Sequence, residues 1–179
     1  MVDKAKLGSV FNKYGYTDFV WIDPKEIVTA QWVRTKCQFG CRNYGIKACC
    51  PPNVPPVSEC REFFDNYTAA VIFHFPKAFD KPVDRHKWGK EINQGLLSVE
   101  REVFFSGYHK SFLLLIAACR ICQECTATKE DCKNPESARP TPEGMAVDVY
   151  STVRKYGFPI EVLADYCQIM NRYAFLLIE

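Results

Sequence analysis

The stretch FLLLIAACRICQEC, residues 112–125, is a strand that runs straight into a ligand loop. Phe112 to Ala117 is apolar without alternation, the pattern of a strand covered on both faces. Cysteines then follow at two-residue gaps, Cys119, Cys122 and Cys125, so the chain leaves the sheet where several thiols are gathered. A second unalternating run, Ala69 to Phe75, has the same strand length. Phe158 to Leu163, Tyr173 to Ile178 and the short Asp18 to Ile22 are further strand candidates.

Amphipathic helices are expected between these strands. Trp88, Ile92, Leu96, Val99 and Val103 recur at three- and four-residue spacing, with Asp84 as cap and Gly107 as stop. Ser58 is expected to cap a short helix that buries Phe63, Phe64 and Tyr67. Asp23-Pro24-Lys25-Glu26 reads as the start of a helix running to about Arg34. Thr141-Pro142-Glu143 reads as the start of another, with Met145, Val149 and Val153 on one face and Gly157 at its end. This pattern predicts an α/β fold: a single-domain sandwich over residues 1–179 with a mostly buried mixed sheet, amphipathic helices and two cysteine-rich metal-binding loops.

Apolar residues make up 47% of the chain and charged residues 25%, enough apolar surface for a core without covalent staples. The net charge is +2 with no long Lys/Arg run, which argues against nucleic acid as a partner. Phe112 to Cys119 is the longest apolar run, far short of the ~20 residues of a membrane span. Residues 1–10 lack an export signal, so a cytoplasmic location is expected. Ten cysteines in a reducing compartment point to metal rather than disulfides.

Those cysteines fall into two groups. Cys119, Cys122 and Cys125, with Cys132 six residues on, are spaced to offer a thiolate to each corner of a cubane cluster. Ferredoxins use the related C-x2-C-x2-C-x3-C-P run, whose fourth cysteine serves a second cluster, so Cys132 binds either locally or across. Zinc is the rival, although structural zinc favours two separated cysteine pairs. The other group is Cys37, Cys41, Cys49, Cys50 and Cys60. Adjacent side chains diverge, so one of Cys49 and Cys50 is a spare, and Pro51-Pro52 favours Cys50 as the ligand. Cys60, in a first helical turn, is either a fourth ligand or a packed thiol. Cys167 stands apart and reads as a buried, inert thiol, and His74 as a hydrogen-bonded core or edge residue.

Residues 37–61, CQFGCRNYGIKACCPPNVPPVSECR, and the block from Cys119 to Leu163 resemble a microbial family known as predicted metal-binding proteins, domain of unknown function 2284. The resemblance spans about residues 37–178 and implies ligands at Cys37, Cys41, Cys50 and Cys60, then Cys119, Cys122, Cys125 and Cys132. It departs from the family at Thr141-Pro142 and at Cys49. The family is common in anaerobes, which suits oxygen-sensitive clusters.

The expected cofactors are therefore two [4Fe-4S] clusters, with zinc as the alternative. The expected function is electron transfer to a redox partner protein. Two alternatives stand beside it: a cluster enzyme with an open iron, in which Arg42, Arg61 or Arg139 holds an anionic substrate, and a zinc-stapled interaction module. The Thr141 segment is expected to close over the second cluster.

Overall fold

The computed structural model describes residues 2–165 and 167–179. Its strands are β1 (Phe19–Ile22), β2 (Ala70–Lys77), β3 (Phe112–Leu114) and β4 (Met170–Leu177), in the order β1-β2-β4-β3. Its helices are α1 (Lys4–Lys13), α2 (Gln31–Gly40), α3 (Val57–Asp65), α4 (Asp84–Phe105) and α5 (Val149–Arg154).

The predicted α/β sandwich forms, but the sheet is antiparallel at all three pairings rather than mixed. β2 and β3 both run against β4 and hence in the same direction. They are joined through α4, with β4 inserted between them as in a split β-α-β unit. Such a unit yields doubly covered, unalternating strands without any parallel pair.

Alternate side chains of the two central strands feed two cores. Val71, Phe73 and Phe75 of β2, with Ala174 and Leu176 of β4, meet α1 and α4 through Leu7, Phe11, Leu96, Val99 and Val103. Ala70 and Ile72, with Tyr173, Phe175 and Leu177, meet Cys60 and Phe64 of α3 and Val149 and Val153 of α5. Full burial of a side chain such as Phe73 or Phe175 contributes about 1.5–3 kcal/mol.

Several boundaries differ from expectation. Pro24–Glu26 is only a turn of 3-10 helix, capped by Asp23, and α2 begins separately at Gln31 and carries Cys37. Val83 and Pro56, rather than Asp84 and Ser58, occupy the N-cap positions of α4 and α3. The helix expected from Thr141 starts later: Thr141 Oγ1 accepts from Gly144 N at 3.1 Å in a turn, and Asp148 caps α5 by accepting from Ser151 N at 3.0 Å. Residues 158–163 are not a strand; Tyr173 Oη instead bonds the Pro159 carbonyl there. Cys167 is exposed rather than buried. His74 is 8% exposed, with Nδ1 2.8 Å from Asp18 Oδ2 and Nε2 2.8 Å from Asn171 Oδ1, the satisfied histidine expected.

Candidate metal centre

The two cysteine loops meet at one end of the sheet, where residues of both line a common pocket. The first, 41–56, connects α2 to α3, and the second runs from 115 to 141 after β3. Neither contains a helix or strand; local backbone turns such as Gly45 N to Pro51 O (2.9 Å) and Cys50 N to Lys47 O (3.0 Å) shape them, and cross-loop bonds join them. Asn53 Nδ2 donates to Lys47 O (3.3 Å) and Ala127 O (2.6 Å), and Ala48 N donates to Cys125 Sγ (3.4 Å), tying one loop to the other. Leu115 N donates to Pro140 O (2.9 Å), closing the second loop at its base. There Arg139 Nε donates to Glu100 Oε1 on α4 at 2.9 Å, and the same oxygen accepts Leu113 N of β3.

The thiols divide between two pockets. Cys37, Cys41 and Cys50 line one, with Thr141, Glu143 and Arg172 on its wall. Cys119, Cys122, Cys125 and Cys132 line the other together with Cys49. Cys49 and Cys50 thus diverge, as neighbouring side chains must, and each enters a different pocket. Cys60 lines neither. It is fully buried among core residues, its thiol donating to Pro55 O at 3.4 Å while Arg34 approaches its sulfur at 3.9 Å. Arg34 also donates to Pro55 O and Gly144 O, both at 3.0 Å, which fastens α2 to the first loop and to the turn after Thr141. Thr141 therefore belongs to the wall of the first pocket, whereas its segment was expected over the second.

Sulfur electrostatics follow this division. Burial and the Cys41 and Cys37 sulfurs push the Cys50 thiol up to about 12, with smaller contributions from Cys119 and Cys125 across the boundary. Burial, then Cys41, raises Cys37. The Cys49 thiol donates to Cys119, which lowers Cys119 and raises Cys49. Asn134 Nδ2 donates to Cys122 Sγ at 3.0 Å. Burial and crowding thus hold protons on Cys37, Cys49 and Cys50, and a thiophilic metal binding there must displace them.

Among the described residues, no group of three His, Cys, Asp or Glu side chains is arranged to hold a single metal ion. The thiols line pocket walls instead. The donor chemistry of the second pocket, all thiol with no imidazole or carboxylate on its walls, suits a soft thiophilic centre.

Of the arginines expected near an anionic substrate, two are engaged. Arg61 bonds Asp65 (2.8 Å), Pro24 O and Ile27 O, and Arg139 bonds Glu100 and lies over the Phe112 ring. Arg42 lies with Cys37 and Cys41 in an open apolar groove that also holds Trp32 and Phe39, both exposed.

Residues 20–178 match the model of a family described as predicted metal-binding protein, DUF2284. The chain belongs to this family. No curated protein and no solved structure matches it. The family match takes in both cysteine loops and all four strands except Phe19. The family's description supports metal binding, and the two pockets are where thiols gather in this chain. No helix among the described residues is long and apolar enough to cross a membrane.

The sequence reading missed the assignment of Cys49 and the cross-loop role of Asn53. The divergence argument applied to Cys49 and Cys50 held a clue: side chains that cannot share a site can serve two.

Proposed function

We propose that the chain is a single-domain iron–sulfur protein that holds two [4Fe-4S] clusters and passes electrons between partner proteins in a reducing, cytoplasmic compartment. The observation carrying this reading is the division of eight thiols between two neighbouring pockets whose walls they line without closing on one point. Four thiolates on one zinc ion lie within about 4 Å of each other, given a Zn–S bond of about 2.3 Å. The second pocket is about 20 Å3 as it stands, so its walls must part to admit a cubane; the preference for iron–sulfur over zinc rests on the Cys119, Cys122, Cys125 spacing. Cys119, Cys122, Cys125 and Cys132 are the ligands of the second centre, and Cys37, Cys41 and Cys50 of the first. When bound, a cubane supplies reversible one-electron chemistry at a potential set by its surroundings.

The protein's own groups then have definite roles. Asn134 Nδ2 and Ala48 N donate to the ligand sulfurs of Cys122 and Cys125, and such bonds favour the reduced, more negative state. Cys41 is exposed beside the Trp32–Phe39 groove, so the first centre is within reach of a docked protein. An anaerobic spectroelectrochemical titration tests the reading. Reversible one-electron reduction is expected, and a chromophore that cannot be reversibly reduced at any accessible potential would remove electron transfer from consideration.

A second reading is favoured by one observation: the first pocket offers three thiols, with Cys60 held elsewhere by Pro55 and Arg34. A cluster there would keep one iron open for substrate, as in a Lewis-acid enzyme. Under this reading cyanide or a small thiol changes the spectrum of the intact first cluster; an unchanged spectrum would mean that a fourth ligand closes the site and would count against an open iron.

A further inference from the structure

Next to the three-thiol pocket, and sharing the wall formed by Asn43, Ile116, Ala117, Ala118 and Arg172, lies a second cavity of about 200 Å3. It opens at the end of the sheet where α4 begins. Three arginines from three separate segments line it: Arg85 on the first turn of α4, Arg120 in the second cysteine loop and Arg172 on β4, joined by His86. Trp88, Ile116 and Met170 supply apolar wall. Among the described residues lining it there is no carboxylate.

Like charges from separate segments repel unless something between them carries the opposite sign. Arg120 is half-buried and has no hydrogen-bond or ion-pair partner among the described residues, and Arg172 donates only to the Met170 thioether, at 3.1 Å, a weak acceptor. Guanidinium groups in such a position are matched by the fork geometry of phosphate or carboxylate oxygens. The cavity's position at the start of the 22-residue helix α4 adds the favourable end of the helix dipole. Burial, and then the charges of Arg120, Arg85 and Arg172, hold the His86 pKa below its usual value.

We infer that this cavity binds a small phosphate-bearing anion, held by Arg85, Arg120 and Arg172 one wall away from the Cys37–Cys41–Cys50 pocket. Phosphate is preferred over a single carboxylate because several cations from different directions match a dianion with oxygens on all sides. The binding charge belongs to the chain's own side chains, so the inference stands apart from the identity of the metal. An anion seated there would lie beside the first metal centre, the arrangement a substrate or an allosteric effector of that centre requires.

The test is isothermal titration of the anaerobically purified, metal-loaded protein with inorganic phosphate at low ionic strength, with equimolar sodium acetate as the carboxylate arm. Saturable one-site binding of phosphate, tighter than acetate, is expected. Arg120→Ala and Arg172→Ala are each expected to weaken it at least tenfold, while Arg154→Ala, on α5 away from the cavity, leaves it unchanged. Should an alanine variant misfold by far-UV circular dichroism, Arg120→Gln and Arg172→Gln take its place with the same expectation. Acetate binding as tightly as phosphate, the absence of saturable phosphate binding, or an affinity that both arginine variants leave unchanged would overturn the inference.

Discussion

Cys49 and Cys50 are adjacent in sequence yet serve different pockets, and this sets the sharpest expectations at the scale of single residues. Cys50→Ala is expected to remove the iron of the first centre, about four atoms per chain, and to spare the second. Cys49→Ala is expected to spare the first. Iron analysis and spectra of the two purified variants check both, and a Cys49→Ala protein that loses the first centre would reverse the assignment. Cys60 is a packed thiol in this account, so Cys60→Ala costs stability, on the order of 1 kcal/mol, but no iron. Asn134→Ala, which deletes a donor to the Cys122 sulfur, is expected to shift one centre's potential to a more negative value. Seven of the eight candidate cysteines share a pocket with other thiols, a grouping the sequence suggests because cysteine spacing is local. The distribution of Cys49 and the seclusion of Cys60 were not legible there, because they depend on how residues 41–56 fold against residues 115–141. Nothing in either segment's own sequence encodes that contact.

At the scale of elements, the base of the second cysteine loop hangs on one buried carboxylate. Glu100 is 5% exposed on α4, and its Oε1 accepts from both Arg139 Nε and Leu113 N. Glu100→Ala leaves a part-buried guanidinium and a buried amide without an acceptor, so it is expected to destabilise the fold by about 3–5 kcal/mol. Urea denaturation measures this, and a loss under about 1 kcal/mol would show that the ion pair does not anchor the loop. The strongly periodic helix α4 and the apolar strands β2 and β4 were readable in the sequence. α1 was not. Its ten residues bury only Leu7 and Phe11, and its start depends on Asp3 accepting from Lys6 N at 3.0 Å. The antiparallel sheet was equally hidden, since strands covered on both faces look alike whether they pair parallel or antiparallel. The strand expected at 158–163 failed because a continuous apolar run also suits a segment packed across a sheet face, as Phe158 and Ile160 are.

The whole molecule separates into a sheet with two apolar cores and two irregular loops that carry nine of the ten cysteines together with the last turn of α2 and the first turn of α3. Among those cysteines only Cys60 belongs to a core cluster. Stability should therefore be divided in the same way. Chelation of the metal under reducing conditions is expected to expose backbone amides in residues 41–56 and 116–138 while β2 and β4 stay protected. Hydrogen exchange followed by mass spectrometry reads this directly, and global loss of protection in the central strands would mean that the metal organises the sheet as well as the loops. The most direct test of the central claim, that these pockets hold iron–sulfur clusters, is the iron, zinc and acid-labile sulfide content of anaerobically purified protein. The account predicts a brown protein with about eight irons and eight sulfides per chain; a colourless protein carrying zinc and no sulfide would contradict it.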